Sequence, residues 1–478
     1  MDSIRPLHRL SLAIAMALGA PAGHAATITV TTGGDAGTAA TCTLRQAIES
    51  ANNDASGTSN CAAGNGADTI VFAAALANST ITLAAGELTI NSPLTVAGSG
   101  QTISANSASR IATINTADAT LSDLTLRDGN ALLGTYHGSG ALRIIDSAVA
   151  MTNVTVTANQ GYYAGGISVS NSTFTATDSV VSDNTTTNNS HGNGGGVLAI
   201  GNTLVTLNAS TISGNSTGHQ GGGMYVGLNA ALAMYGSTVS GNTVVAGGAA
   251  QSGGGIFGYR CAKIALTDSA VTGNTGHFQG GGILANNCQL TLINTTVSGN
   301  ASEVSSGGGV YVEDGTSAQV VNSTISGNAA QESGGILVYK DTTLTLANTL
   351  ISANTVNANY LNTADLQAYG VGNTISASYC LMGSALNGPF AGNHNVFSDA
   401  PLLGPLQNNG GPTQTMALLS GSPAIDAGSN ALAKNGTTAL VYDQRAPLFP
   451  RIFNAKADIG AFEFQGERIF SNGFEPGP

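Results

Sequence analysis

A short phrase ending in Asn recurs through the middle of the chain and constrains the fold more than any other feature. Its clearest copies, Ser-Thr-(Ile/Val)-Ser-Gly-Asn or Thr-Thr-Val-Ser-Gly-Asn, end at Asn215, Asn242, Asn300 and Asn328. Weaker copies end at Asn130, Asn159, Asn184, Asn274 and Asn354, and successive copies lie 25 to 32 residues apart. A period near 28 residues predicts stacked supersecondary units, none of which buries its apolar face alone.

Each unit has the pattern of three short strands. A Gly-Gly-apolar phrase recurs once per unit, and short alternating runs such as Gln289–Ile293 place Leu290 and Leu292 on one face. The Gly-Gly phrases begin at Gly165, Gly195, Gly222, Gly254, Gly281, Gly308 and Gly334. Helical repeats would need an apolar stripe of period 3.6 and few glycines, whereas this chain has 65 Gly in 478 residues. Leucine-rich repeats would need more regular Leu spacing.

We therefore predict an all-β fold, a right-handed single-stranded parallel β-helix with three strands per coil. Right-handed winding is expected because parallel crossovers favour it. The length of the unit varies just after the phrase-ending Asn, so all insertions should emerge at one corner. Six residues before that Asn, a column of amide and carboxylate side chains predicts a ladder across stacked strands, with Ala209 and Gly236 as exceptions. Its members are Asn153, Asp178, Asp268, Asn294, Asn322 and Asn348.

The five cysteines fit an oxidising compartment and the same register. Cys261 and Cys288 each lie six residues after the second Gly of a Gly-Gly phrase, so they should stack on neighbouring coils at disulfide distance. Cys42 and Cys61 are expected to form a second bridge. Cys380 is left over, and we interpret it as a buried free thiol rather than a catalytic nucleophile because no activating His follows a recognisable pattern.

Residues 1–25 have the features of a secretory signal peptide. Arg5, His8 and Arg9 supply a basic start, Leu10 to Ala20 form an apolar run too short to span a bilayer, and Ala25 ends a plausible cleavage site. A buried N-terminal helix is the alternative. No later segment is long and apolar enough for a membrane span, so the sequence predicts export without a transmembrane span.

A capping helix is expected after residue 42, where Thr43 and Gln46 form a capping-box pattern ahead of an amphipathic stretch. Cys42-Thr-Leu-Arg-Gln-Ala-Ile48 resembles the Cys-Ser-Leu-Arg-Glu-Ala motif of the CSLREA family of exported bacterial surface proteins, with Thr43 and Gln46 as departures. The Gly-Gly-apolar phrases are similar to polymorphic outer membrane protein repeats. These resemblances imply architecture and surface location, and they carry no catalytic residues.

The C-terminal region is rich in proline, which suits an irregular terminal lid. Its motifs Asn408-Asn-Gly-Gly-Pro-Thr-Gln-Thr415, Gly421-Ser-Pro-Ala-Ile-Asp-Ala-Gly428 and Asp458-Ile-Gly-Ala-Phe-Glu463 resemble the choice-of-anchor Q domain. Asp443, Arg445 and Asp458 are expected to form an ion-pair cluster that holds this lid, with catalysis as the alternative. The predicted organisation is therefore a signal peptide (1–25), an N-terminal cap (26–63), a β-helix (64–400), a C-terminal cap (401–465) and a tail (466–478) that is either a sorting tag or a disordered end.

Charged side chains are few, at 8 % of residues, and the formal net charge is −12, which leaves no basic patch for nucleic acid. The densest charged set lies on adjacent coils: Glu303, Glu313, Asp314, Glu332, Lys340 and Asp341, with Arg260 and Lys263 two coils earlier. Alignment of the Gly-Gly phrases places Asp314 over Lys340, as an exposed ion pair between coils. The histidines near the variable corner, His137, His191, His219 and His277, lack the spacing of a metal site.

Two classes of function remain open. The first is an exported, noncatalytic protein of the cell surface or the extracellular space of a Gram-negative-type bacterium, adhesin-like or matrix-binding, with a polysaccharide or a host surface as partner. The second is a polysaccharide lyase or glycoside hydrolase, for which Asp314, Lys340 and Arg260 are the candidate residues. Trp is absent and Tyr and Phe number 12 each, so stacking platforms for sugars are expected to be few. We therefore favour the noncatalytic class and predict no catalytic, metal or cofactor residues.

Overall fold

The computed structural model describes residues 25–57, 59–131, 138–186, 190–247, 252–356, 364–383, 386–387 and 390–466. These residues form a right-handed parallel β-helix, which confirms the predicted fold class. Three parallel sheets run along the molecule, and the register of neighbouring coils places Ile283, Val310 and Ile336 directly over one another, each at most 1 % exposed. The predicted signal peptide and tail fall almost wholly outside the described residues.

Sheet A is the longest, and most coils contribute two of its strands. Its strands are Thr27–Val30, Asp68–Phe72, Thr80–Thr82, Leu94–Ser104, Ala119–Arg127, Ala148–Thr157, Thr173–Thr177, Val180–Ser182, Leu204–Asn208, Thr211–Ser213, Ala231–Tyr235, Thr238–Ser240, Lys263–Thr267, Ala270–Thr272, Gln289–Ile293, Thr296–Ser298, Ser317–Val321, Thr324–Ser326, Thr343–Ala347, Leu350–Ile351, Thr374–Ser378, Leu381–Met382 and Val396–Phe397.

Sheets B and C complete each coil. Sheet B comprises Leu88–Ile90, Ala112–Asn115, Leu142–Ile145, Ile167–Ser170, Val197–Ile200, Met224–Gly227, Ile256–Tyr259, Ile283–Asn286, Val310–Glu313, Ile336–Tyr339, Leu366–Tyr369 and Leu386–Asn387. Sheet C comprises Asn130–Ala131, Gln160–Gly161, Thr185–Thr186, Ser216–Thr217, Thr243–Val244, Thr275–Gly276, Ala301–Ser302, Ala329–Ala330 and Thr355–Val356. Outside these sheets lie helix α1 (Leu44–Asn53), a 3₁₀ turn (Ala74–Leu76) and two small antiparallel pairs, Leu403–Gln407 with Thr415–Leu418 and Lys434–Asn435 with Thr438–Ala439. Within the described ranges, no helix has the length and apolar character that a membrane span requires.

The recurring phrase encodes one bend and one corner of each coil. In the copy that ends at Asn215, Ala209 has a left-handed backbone and bends sheet A, Ser210 turns inward, and Ile212 enters the core at 1 % exposure. Gly214 is again left-handed, with φ of 63°, and directs Asn215 inward at the next corner. The column that contains Ala209 therefore marks a left-handed bend, a conformation that Asn, Asp and Gly tolerate better than other residues.

The predicted position of the amide ladder is wrong in part. In the bend column only some neighbours interact, such as Asn294 Nδ2, which donates to Asp268 Oδ1 at 2.9 Å. The continuous ladder is formed by the phrase-ending asparagines, which are buried. Asn215 Nδ2, for example, donates to Asn242 Oδ1 at 2.9 Å. The ladder comprises Asn159, Asn184, Asn215, Asn242, Asn274, Asn300, Asn328 and Asn354, and it ends at Asp365, whose Oδ1 accepts from Asn354 Nδ2 at 2.8 Å.

The Gly-Gly phrases lie where neighbouring coils approach most closely. A Cβ atom on Gly196 would lie 2.8 Å from the carbonyl oxygen of Gly223 and 3.0 Å from Nδ2 of Asn215. Any larger residue would therefore separate the coils and disturb the asparagine ladder.

Most of the variation in coil length occurs at the predicted corner, between sheet C and sheet B. Six residues join Gly276 to Ile283 there, and eleven join Val244 to Ile256. The turn between sheet B and sheet A also varies, from two residues after Asn286 to four after Tyr369. The expectation that all variation is confined to one corner is therefore too strict.

Helix α1 packs its apolar face, including Leu44 and Ile48, onto the first coils. The capping box is present, because the Thr43 side chain accepts from Gln46 N and the Gln46 side chain accepts from Thr43 N. The region predicted as a cap also contributes the strand Thr27–Val30, which pairs with Asp68–Phe72 as the first strand of sheet A.

The structure contains two disulfides, Cys42–Cys61 and Cys261–Cys288, with Cα–Cα separations of 4.8 and 4.9 Å. The second joins two neighbouring turns between sheet B and sheet A, as the coil alignment requires. Cys380 is a free thiol with no exposed surface, and burial raises its pKa to about 12. A thiol in that state is a poor nucleophile at neutral pH.

The C-terminal region differs from the predicted lid. It folds back along the outer side of sheet A, from Pro412, which lies beside Gly236, to an apolar cluster that includes Leu381. Gln444 accepts a hydrogen bond from Thr296 at 2.6 Å, and Gly460 N donates to the carbonyl of Asn348. We call this region, residues 401–465, the covering segment. The outward strand residues that it covers are consequently buried.

A buried ionic network holds the covering segment together. Arg445 pairs with Asp443 at 2.6 Å as expected, and its guanidinium lies between the rings of Phe449 and Phe462. Asp458 differs from the prediction, because it accepts backbone N–H groups from Asp426 and Phe464. A second pair, which the repeat pattern does not predict, joins Arg451 to Glu463 at 2.6 Å and completes the network.

Candidate functional site

The outer face of sheet B forms a groove along several coils. In each four-residue strand the first and third side chains enter the core, as Ile283 and Ala285 do, and the second and fourth point outward. One wall consists of residues from the variable corner, such as Gln279 and Ser305, and the opposite edge consists of the turns into sheet A, such as Gly315. We refer to this feature as the sheet B groove.

Two columns of outward side chains form its floor, and both are rich in aromatic rings. The second strand position carries Leu198, Tyr225, Phe257, Leu284, Tyr311 and Leu337 in direct register. The fourth carries Ile200, Gly227, Tyr259, Asn286, Glu313, Tyr339 and Tyr369. The rings of Tyr225 and Phe257 stack at 5.5 Å, and those of Phe257 and Tyr259 lie 6.5 Å apart.

The two columns differ in exposure. The corner segment covers the column at the second strand position, so that Tyr311 is only 4 % exposed. The column at the fourth strand position is more accessible: Tyr339 is 38 % exposed, and Tyr259 and Tyr369 are partly buried. The groove therefore offers accessible rings in one column, beside a column of buried apolar side chains.

Composition alone conceals this concentration of aromatic residues. Seven of the 12 tyrosines lie on or beside this face: Tyr162, Tyr163, Tyr225, Tyr259, Tyr311, Tyr339 and Tyr369. The expectation that stacking platforms are few is therefore incorrect for this surface. The sequence does contain the signal, because an aromatic residue directly follows the Gly-Gly-apolar phrase at Tyr225, Phe257 and Tyr311.

Part of the predicted charged set meets at the edge of the groove. Lys340 Nζ lies 3.5 Å from Asp314 Oδ1, and the two side chains are 53 % and 41 % exposed, which confirms the predicted ion pair between coils. Asn286 Nδ2 donates to both Glu313 Oε1 at 2.9 Å and Asp314 Oδ2 at 3.1 Å. Arg260 lies over the ring of Tyr259 at 5.2 Å and lines the same edge.

Other members of the predicted set lie apart. Glu303 pairs with His277 at 2.8 Å on the corner side, and Glu332 accepts from Ser306 there. Lys263 stands on sheet A at the start of its strand, and Asp341 occupies the turn after Lys340.

Glu313 has an environment of its own within the groove. Burial raises the pKa of its carboxyl above the ordinary value, the hydrogen bond from Asn286 opposes this shift, and the negative charge of Asp314 adds to it. The pKa of the neighbouring Tyr311 is raised too, chiefly by burial and then by the charge of Glu313.

Two of the histidines lie near each other, so that the charge of His191 adds to burial in lowering the pKa of His219. His219 Nδ1 lies 2.9 Å from Asn193 Oδ1, and His277 is paired with Glu303, whereas His137 lies outside the described residues. In the part of the chain that the structure describes, no three His, Cys, Asp or Glu side chains are grouped so that they could hold a metal ion.

The match to a family model agrees with the fold. The family described as "Right handed beta helix region" matches residues 195–379. No curated protein matches the chain. Among solved structures, the chain is similar to one entitled "Crystal structure of Agl-KA catalytic domain", at 12 % identity and a TM-score of 0.25. That match covers 69 % of this chain and 62 % of the other, which is less than two thirds of the other chain's length.

Proposed function

We propose that the protein is an exported, noncatalytic β-helix protein that binds an extended carbohydrate chain along the sheet B groove. The observation that carries the proposal is the column that contains Tyr259, Tyr339 and Tyr369, all at least partly accessible, beside a column of buried aromatic and aliphatic side chains. Carbohydrate sites place apolar ring faces against aromatic side chains and add a few polar groups that fix orientation. Gln279 and Asn286 supply such groups beside the rings.

The proposal includes a location at the cell surface or in the extracellular space of a Gram-negative-type bacterium. It is supported by the signal-like residues 1–25 and by the resemblance of the two ends to the CSLREA family and the choice-of-anchor Q domain. The residues of the first motif also have distinct structural roles, because Cys42 is bridged, Thr43 caps α1 and Arg45 pairs with Asp35. Two disulfides in one chain suit an oxidising compartment. We assign attachment to the surface to the C-terminal region, which resembles the choice-of-anchor Q domain.

Binding can be tested by affinity electrophoresis through gels that contain a neutral β-glucan, chitosan or a polyuronate. We expect retardation of the wild-type protein by at least one of them. Tyr339→Ala should weaken binding about three- to tenfold, because loss of one ring contact costs ~1 kcal/mol. Tyr235 is a matched control, since it is 50 % exposed but lies on sheet A, so Tyr235→Ala should bind like the wild type. Equal loss in both variants, or no retardation in any gel, would contradict the proposal.

Cleavage of the bound chain is the second candidate, because one Asn286 amide group holds the carboxylates of Glu313 and Asp314 close together. Hydrolases use such a pair as acid and as base or nucleophile. We favour binding because Asp314 is paired with Lys340 at the edge of the groove, which leaves Glu313 as the carboxylate in the aromatic floor. Incubation with the retarding polysaccharide should therefore release neither reducing ends nor unsaturated products. Turnover that Glu313→Gln abolishes would establish the second candidate instead.

A further inference from the structure

Glu313 is the one carboxylate in the aromatic floor of the sheet B groove. It occupies the fourth position of its strand, in register between Asn286 on one side and Tyr339 on the other. Tyr311 lies two residues earlier on the same face. Two tyrosine rings and one amide group therefore surround a carboxylate that is shielded from water on several sides.

This carboxylate lacks a positive partner. Among the residues that the structure describes, no Lys, Arg or His nitrogen lies within 4.0 Å of a Glu313 oxygen. The nearest ion pair on these coils joins Lys340 to Asp314 instead. Asn286 and Tyr311 each contribute a neutral hydrogen bond. A shielded carboxylate whose partners are all neutral is a favourable place for a cation.

We propose that Glu313 and Tyr339 bind the protonated amino group of an amino sugar, so that the groove selects carbohydrate chains with free amino groups. This inference rests on the proposed function and names its ligand class. The carboxylate would accept hydrogen bonds from the ammonium group, and the face of an accessible ring such as Tyr339 would attract the same charge. A polyuronate would place its own carboxylates against Glu313 and be repelled.

The pattern of the column favours an amino sugar over a lysine-rich peptide. A peptide with many ammonium groups would be matched by carboxylates repeated from coil to coil. Here the members of the column next to Asn286–Glu313 are Tyr259, Tyr339 and Tyr369, which offer rings rather than charges. One ammonium site flanked by stacking positions fits a chain of pyranose rings.

The inference can be tested by calorimetric titration with three probes: a glucosamine hexamer, its fully N-acetylated counterpart and hexalysine. The wild-type protein should bind the glucosamine hexamer about tenfold more tightly than the N-acetylated one, as expected for one charged hydrogen-bonded contact. Glu313→Gln should remove this preference while leaving the N-acetylated hexamer bound. Glu303→Gln is the matched control, because Glu303 is 52 % exposed and paired with His277, and it should keep the preference.

A second variant tests the inference even if Glu313→Gln does not fold. Tyr339→Leu keeps the charge and an apolar side chain at a site that is 38 % exposed, and it should reduce the preference severalfold by removing the ring. Equal affinity of the wild type for the two hexamers, survival of the preference in Glu313→Gln, or equally tight binding of hexalysine would each overturn the inference. Absence of binding to both hexamers would also overturn it. The proposed function would then still stand if a neutral glucan retarded the wild type and Tyr339→Ala weakened that retardation.

Discussion

One residue per coil adopts a left-handed backbone where sheet A bends, and the identity of that residue varies. In most coils it is Asn or Asp, as at Asp178 and Asn294, with φ of 48° and 46°. Gly236 meets the same requirement without a side chain. Ala209, with φ of 45°, has a Cβ, unlike Gly, and lacks the polar side chain of Asn or Asp. It is exposed to solvent. Where the position is exposed, as at Ala209, its residue is therefore under conformational rather than packing constraint.

Ala209→Asn should stabilise the protein by about 1 kcal/mol, because Asn tolerates the left-handed conformation better than Ala. Urea unfolding followed by circular dichroism would measure the change. Ala233→Asn is the control, since Ala233 is an outward residue within a regular strand of the next coil, and it should bring no gain. An unchanged or lower midpoint for Ala209→Asn would show that the bend is not strained there.

Periodicity located both asparagine columns in the sequence but could not tell which of them points inward. Asn294, in the bend column, also bonds across to Tyr442 of the covering segment, whereas Asn300 lies inside the core ladder. The difference arises from the left-handed Gly299 that precedes Asn300 and reverses the direction of its side chain. The length of the repeat determines which residues stack on one another, but only the backbone conformation determines whether a side chain points into the core.

At the scale of the element, the N-terminal helix is joined to the coils by more than its apolar face. Asp35 accepts hydrogen bonds from Arg45 Nε at 2.9 Å and from the backbone N–H groups of Ala84 and Ala85. Arg45 also donates to the carbonyl of Glu87. The Arg of the Cys-Thr-Leu-Arg-Gln-Ala motif thus links α1 to the first coils. The capping box was predictable because it is local in sequence, whereas the partner of Arg45 was not, because Asp35 lies in an irregular loop.

Asp35→Asn should destabilise the protein by about 3 kcal/mol at neutral pH, since it leaves Arg45 without its buried partner. Burial alone would raise the pKa of Asp35, but the bonds from Arg45, Ala85 and Ala84 outweigh it and lower the pKa below 3.8. Asp35 therefore stabilises the fold above pH ~3.8, and this contribution is lost as the pH falls through the lowered pKa.

Thermal unfolding of both proteins between pH 7 and pH 2 provides the measurement. The difference between wild type and Asp35→Asn should be constant above about pH 4 and should shrink at more acidic pH. Asp118→Asn is a suitable control, because Asp118 is exposed at a turn of sheet A, away from Arg45. A difference that persists unchanged at the most acidic pH would contradict this role of Asp35.

The whole molecule combines a predictable stack of coils with two features that only the folded chain reveals. The covering segment contacts residues more than 100 positions away, as Gln444 does with Thr296, and no periodic pattern announces such contacts. The sheet B groove likewise gathers tyrosines from separate coils. The Asp314–Lys340 pair at its edge was predictable because that pair follows the repeat. The floor was not, because the total number of aromatic residues does not show their position in the coil.

The most direct test of carbohydrate binding in the sheet B groove is hydroxyl-radical footprinting by mass spectrometry, with and without a saturating concentration of the polysaccharide that retards the protein. Tyr259, Tyr339 and Tyr369 should be protected from oxidation when the chain is bound. Tyr235, 50 % exposed on sheet A, should be oxidised equally in both samples. Protection of Tyr235 with continued oxidation of the three groove tyrosines would contradict this account and place the binding surface elsewhere on the molecule.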